Sequence, residues 1–243
     1  MTSTVSPLLL RERLYEAYAS QHAGQSEGAA TARIYRRDLR PLLPAPEAGP
    51  VLDIGCGQGH LVRAMAADGY DATGMDVSPE QVTIARAAGI SQVAEGDYRK
   101  VLAKADGHYA AITATDVLEH LTKSEVLDTF DLVHEALSPG GVFIARVPNA
   151  VSPFGGYIRY GDFTHETWFT ARSIQQLAAA ASFTQVYVSA CPPVAHGVAS
   201  VARMLLWKVT SGVCKAALAA ETGVVRGHIV TQNLTFAAVK ATR

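Results

Sequence analysis

The chain has 243 residues, 49% of them hydrophobic and 18% charged, which fills the core of one α/β domain with additions and excludes a disordered chain. Lys and Arg number 21 against 22 Asp and Glu, a net charge of −1, so there is no basic excess to release counterions from DNA or RNA, and nucleic acid is not an expected partner. Three scattered cysteines, Cys56, Cys191 and Cys214, make no CxxC pair; this disfavours a disulfide framework or zinc knuckle and predicts a reducing, cytoplasmic compartment.

In chain order, the start carries only Leu8 to Leu10 as an apolar run before Arg11, too short for a signal-peptide core. Residues 8–40 have helical patterning, interrupted by the segment 20–30, where Gly24 and Gly28 predict a mobile break. Prolines at 41, 44, 46 and 50 then remove backbone donors and restrict their neighbours, so this stretch is a linker. Residues 1–50 are therefore expected to form an N-terminal helical cap, and 51–243 the main domain. There, VLDIG (51–55) is a buried strand, LVRAMAADG (61–69) a helix with a glycine stop, and DATGMD (71–76) a second strand. Ser78-Pro79-Glu80 opens a helix that Gly89 ends. Strands follow at 91–97, 109–116 and 142–148, the last two separated by a helix whose capping box is Thr122 with Glu125. Thr170 caps a helix over 171–181; strands at 184–190 and 228–240 complete the pattern. Strands alternating with helices at this spacing predict a doubly wound, mostly parallel sheet.

One segment departs from that rhythm. Residues 196–226 form a helical insertion, in which Val201, Leu205, Val209, Gly212 and Ala216 share one helical face while Arg203, Lys208, Ser211 and Lys215 share the other. A helix packed on the sheet or on a second copy fits this pattern. So does an interfacial helix at a membrane surface, because Trp207 and three cations flank the apolar stripe. No stretch has the uncharged length of a bilayer span.

Gly55-Cys56-Gly57-Gln58-Gly59, between a strand and a helix, is a turn whose backbone can approach a ligand closely. A dinucleotide fingerprint places its third glycine one residue later. Asp53 puts a carboxylate where a pyrophosphate would be repelled and an ammonium group welcomed. Asp76 ends the second strand about twenty residues on, the separation at which an acid reaches ribose hydroxyls, and Asp97 ends the third, where it can accept from an adenine amino group. A carboxylate at each of three successive strand ends describes a nucleoside site without phosphate.

DIGCGQG, followed by GMDVS, EGDY and ITATDVLEH, resembles the class I S-adenosylmethionine-dependent methyltransferases over roughly residues 50–148. The resemblance implies a seven-stranded Rossmann-like sheet whose last strand, here 228–240, is antiparallel. It implies S-adenosyl-L-methionine as cofactor, with Gly55 and Gly57 under its methionine part, Asp76 on the ribose, Asp97 facing adenine and Thr115 alongside. Asp53, Val77, Tyr98 and Asp116 complete the expected cofactor set. The Asp116-x-x-Glu119-His120 segment is similar to that of the ubiquinone-biosynthesis O-methyltransferases, whose Glu-x-x-Glu-His binds a divalent cation. That similarity makes Asp116, Glu119 and His120 candidate ligands for an ion such as magnesium, with a shorter acid at the first position. The run Asp162-Phe163-Thr164-His165-Glu166 resembles methyltransferases found with polysaccharide-biosynthesis enzymes.

Methyl transfer holds nucleophile, methyl and sulfur in line, and a hydroxyl nucleophile must also lose a proton. His120 and His165 are the candidate bases, because imidazole titrates near neutrality. Tyr15, Tyr18 and His22 are placed to close over the cofactor, and Arg33, Arg36 or Arg37 to meet its carboxylate. Cys56 reads as a small packing residue. The expected activity is O-methylation of a hydroxyl on a small molecule, sugar or glycan intermediate, in the cytoplasm or at the membrane periphery. Open alternatives are N- or C-methylation, a binding module that kept the nucleoside site, and a nicotinamide-dependent oxidoreductase.

Overall fold

A computed structural model describes residues 27–194 and 197–242. Seven strands make one sheet: β1 Val51–Ile54, β2 Ala72–Asp76, β3 Val93–Glu95, β4 Tyr109–Thr115, β5 Leu137–Pro148, β6 Gln185–Ala190 and β7 Asn233–Val239, in the spatial order β3-β2-β1-β4-β5-β7-β6. The pairs β3-β2, β2-β1, β1-β4 and β4-β5 are parallel, while β7 runs antiparallel to both β5 and β6. The helices are α1 Glu27–Ile34, α2 His60–Ala67, α3 Pro79–Ala87, α4 Tyr98–Leu102, α5 Lys123–Ala136, α6 Gly155–Arg159, α7 Ala171–Ala180 and α8 Val198–Thr222.

Strand alternation divides the core between the two faces of the sheet. Phe143, Ala145 and Val147 of β5 join Phe130 of α5, Ile174 of α7 and Phe236 of β7 on one side. Val142 and Ile144 join Val62 and Met65 of α2 and Val82 of α3 on the other. Phe130 stacks on Phe236 with ring centroids 5.7 Å apart. Both faces are covered, so the central strands carry near-continuous apolar runs.

Several boundaries differ from expectation for identifiable reasons. β3 stops at Glu95 because Asp97 turns to cap α4, a helix the pattern had not marked. β5 begins at Leu137, which pairs with Tyr109 before a register shift. β7 begins only at Asn233, since the Asn149 side chain takes up the carbonyls of Ile229 and Thr231 at 2.8 Å each. Gly28 is not a mobile break. It lies inside α1, where a Cβ would sit 3.3 Å from the His60 ring, so the glycine lets α1 approach α2. Residues 35–39 continue α1 as a π turn, burying Tyr35 and Leu39. Residues 20–26 of the expected break, like Tyr15, Tyr18 and His22, fall outside the described residues.

The α8 helix covers 198–222 as expected, but its apolar stripe does not pack on the sheet: Leu205 is 55% and Val209 68% exposed, and only Ser200 is buried. Among the described residues no helix is long and apolar enough to cross a membrane.

Candidate active site

The C-terminal ends of β1, β2 and β4 meet at the glycine loop. Gly55, Gly57 and Gly59 have φ of +66°, +51° and +71°, a region that side chains with a Cβ enter only at a cost. At Gly55 the need is doubled, for a Cβ there would lie 2.4 Å from a methyl of Val117. Beyond Gly57 there is room, with the Gln81 amide oxygen 4.0 Å from where a Cβ would stand.

The three strand-end acids are held differently. Asp76 accepts from the Gly57 and Ser78 amides, both at 2.8 Å. Burial raises its pKa and those amides offset part of the rise. Asp53 is 2% exposed and accepts from the Thr113 hydroxyl at 2.7 Å. Burial, opposed by that hydrogen bond and aided by the Asp76 charge, pushes its pKa up to about 7. A cationic ligand beside it would favour the ionised form. Asp97 caps α4 through the Arg99 amide at 3.0 Å and holds the Arg99 guanidinium at 2.9 Å. Burial opposes its charge, and Arg99 outweighs burial to leave its pKa below the usual value. The Tyr98 side chain is buried in the core and meets the Thr129 hydroxyl at 2.9 Å, leaving only its main chain toward the site. Val77 is half exposed beside Asp76. Cys56 packs against Gly74, and burial, then the Asp53 and Asp76 charges, raise its thiol pKa.

Past β4 the chain makes a strained turn. Asp116 has φ of +56° and forms an ion pair with Arg146 of β5. Asp116 therefore does not join the expected metal-ligand set; its carboxylate is engaged across the strand pair. What the structure gathers instead is Glu119, His120 and His165, with one ligand atom of each within 4.8 Å of the others. Their rings meet edge to face, with centroids 4.8 Å apart for the two histidines. The Glu119 carbonyl accepts from the amides of Glu166 and Thr167, which draws the 160s loop over the end of β4.

Hydrogen bonds define the tautomers. Thr164 donates to Asp162 Oδ1 at 2.6 Å, so its hydroxyl accepts from His120 Nδ1 at 2.7 Å. His165 Nδ1 donates to the Ile158 carbonyl at 3.0 Å. In each neutral imidazole the lone pair then lies on Nε2. Glu119 Oε2 is buried with no hydrogen-bond partner. Burial, with the Asp116 charge next, raises the Glu119 pKa well above its ordinary value, and a cation bound there would favour the ionised form. Two imidazoles and a carboxylate make a donor set suited to a divalent ion.

Reading the sequence missed Thr113, Arg146, Thr164 and Gln81. Thr164 lies in the singled-out 160s run, so its position was visible though its partner was not. Thr115 Oγ1 and Gln81 Oε1 are buried with no partner, which leaves polar groups near the glycine loop for a ligand to satisfy.

The methyltransferase-domain family model matches residues 28–188. The chain belongs to the class I S-adenosylmethionine-dependent methyltransferases. It is 32% identical over 110 residues to the ubiquinone biosynthesis O-methyltransferase of Xylella fastidiosa (strain 9a5c), covering 43% of this chain and 44% of that protein. It is 34% identical over 110 residues to the protein of the same name from Xanthomonas oryzae pv. oryzae (strain PXO99A), covering 43% and 45%. The matched stretch thus spans less than half the length of these curated relatives. A SAM-dependent methyltransferase structure from Archaeoglobus fulgidus superposes with a TM-score of 0.68 at 18% identity, covering 93% of this chain and 99% of that one. Haemonchus contortus phosphoethanolamine N-methyltransferase 2, solved with S-adenosyl-L-methionine, gives 0.60 at 17% identity, covering 93% and 60%. These two likenesses concern the fold. Family membership excludes the dinucleotide reading, in line with the shortened glycine spacing.

Proposed function

We propose that this methyltransferase moves the methyl group of S-adenosylmethionine to a hydroxyl oxygen of a small molecule, sugar or glycan intermediate. The observation that carries this is the chain Asp162–Thr164–His120, set at the end of β4 with His165 against it. The cofactor supplies an electrophilic methyl on a sulfonium, and its sulfur keeps the electron pair of the broken bond. Asp76 would hold the ribose, Asp53 the ammonium group, and the left-handed glycine loop the methionine part. Thr115 and Gln81 offer further polar contacts, and Asp97 the one toward adenine. His120 Nε2 takes the hydroxyl proton as the O–C bond forms. The resulting imidazolium is favoured through Nδ1–H and Thr164 by the Asp162 carboxylate. The names of the curated relatives support oxygen as the nucleophile.

A second reading, favoured by the buried unpartnered Glu119 Oε2, adds a divalent cation at Glu119, His120 and His165, lowering the pKa of a bound hydroxyl. Turnover to S-adenosylhomocysteine over a panel of hydroxyl, amine and carbon acceptors, with the product located by mass spectrometry, tests the first; a methylated nitrogen or carbon overturns it. Loss of turnover in chelator with recovery in magnesium supports the cation; chelator-insensitive turnover leaves a histidine base or positioning alone. The exposed α8 stripe is proposed to meet a membrane surface or a second copy, which vesicle co-sedimentation and sedimentation velocity separate.

A further inference from the structure

A cavity of about 470 Å³ has walls from α1, the end of β5, the turn after β6 and α8. Arg37, Arg146 and Arg203 line it, with Trp207 and Phe154, and among the described residues no Asp or Glu does. Two of these cations have partners: Arg37 pairs with Asp38 and donates to the Pro192 carbonyl, and Arg146 pairs with Asp116. Arg203 has no ion-pair partner among the described residues. Among the described lining residues, the exposed Arg203 is therefore the cation with no acid paired to it. The cavity also holds an unmet demand, since Arg146 Nε is buried with no hydrogen-bond acceptor. A buried charged donor in that state is costly, and an oxyanion is the group that relieves it. Arg146 further ties the cavity to the reacting centre, because it is the β5 partner of Thr115.

We infer that this cavity is the acceptor subsite, and that the acceptor is a ring-bearing molecule with one negative charge, a carboxylate or a phosphodiester. The oxyanion sits on Arg203 and Arg146, and the ring lies against Trp207, whose flat indole favours sugar and aromatic faces. An acidic sugar such as a uronate, or a sugar phosphodiester, has this chemistry. A neutral sugar can accept a hydrogen bond from Arg146 but leaves the Arg203 charge unmatched. The inference deepens the proposed function and rests on it for the reaction, while the anion site is testable without turnover.

The test is calorimetry on the full chain saturated with S-adenosylhomocysteine, using p-nitrophenyl glucuronide, bis(p-nitrophenyl) phosphate and neutral p-nitrophenyl glucoside. At least one anion should bind about tenfold tighter than the glucoside, and the tighter one identifies the head group. Arg203→Gln should weaken that anion about tenfold and leave both the glucoside and S-adenosylhomocysteine unchanged. Trp207→Ala should weaken all three probes. Equal binding of charged and neutral probes, indifference to Arg203→Gln, or loss of anion binding whenever S-adenosylhomocysteine is present overturns the subsite. Failure of S-adenosylhomocysteine itself to bind instead overturns the methyltransferase reading.

Discussion

The two halves of the site are built over different sequence distances. On the glycine-loop side, Asp76 is fixed by amides 19 and 2 residues away, and Asp97 by Arg99 two residues on. On the acceptor side, His120 is oriented by Thr164, 44 residues away, and Asp116 by Arg146, 30 residues away. The first half is mostly turn and cap chemistry, in which a strand end and a helix start dictate each other, with Asp53 and its partner Thr113, 60 residues apart, as the exception. The second is assembled by tertiary packing from the loop after β5 and from α8. A nucleoside site is thus written locally, while the acceptor site depends on loops free to vary.

The sharpest way to break this comparison is His120→Gln. Turnover should fall by roughly 10²–10⁴-fold, the range of a lost general base, with S-adenosylhomocysteine affinity unchanged by calorimetry. A variant with unaltered kcat would remove His120 from the chemistry. Next, Gly55→Ala must place a Cβ 2.4 Å from Val117 at a φ of +66°. Denaturant melts should show a loss of about 2 kcal/mol or more, from the left-handed backbone and the overlap together. Adding Val117→Ala should recover only the overlap. Asp76→Ala should weaken S-adenosylhomocysteine by about 1–3 kcal/mol, with acceptor-side anion binding intact; parallel losses at both sites would erase the distinction between the halves.

The smallest effect concerns Asp53. Its pKa is raised from 3.8 to about 7 in the fold, so the native state binds the proton more tightly than the unfolded chain. The stability this confers is complete below about pH 4 and is lost as pH rises toward 7. Asp53→Asn should therefore gain on the parent protein across that window in paired melts, and a flat difference would show that Asp53 is already ionised.

What could be read from the chain beforehand follows the same division. The short apolar strand runs, the Ser78 and Thr122 caps and the glycine turn are short-range features, and they stand where expected, the ends of β3, β5 and β7 aside. β7 came out shorter because the carbonyls of Ile229 and Thr231 answer to Asn149, some eighty residues earlier. His120 and His165 were individually conspicuous as ionisable residues, but their edge-to-face contact needs the 160s loop bonded to the Glu119 carbonyl. Spacing and the resemblance to Glu-x-x-Glu-His group Asp116 with Glu119 and His120. The left-handed φ of Asp116 swings the carboxylate toward Arg146 instead. No local pattern marks that reversal, since Asp is among the few residues that tolerate it. The apolar stripe of α8 was legible as amphipathic, yet periodicity says which residues share a face and not what the face meets.

The antiparallel β7 also sets an order of assembly during synthesis. It stands between β5 and β6, and among the described residues β6 pairs with no other strand. Residues 185–190 therefore leave the ribosome well before 233–239, and until then the β5 edge is open and β6 has nothing to join. The nascent chain can close its first five strands early, but the sheet is finished only by its latest-made strand, with the whole of α8 translated in the interval.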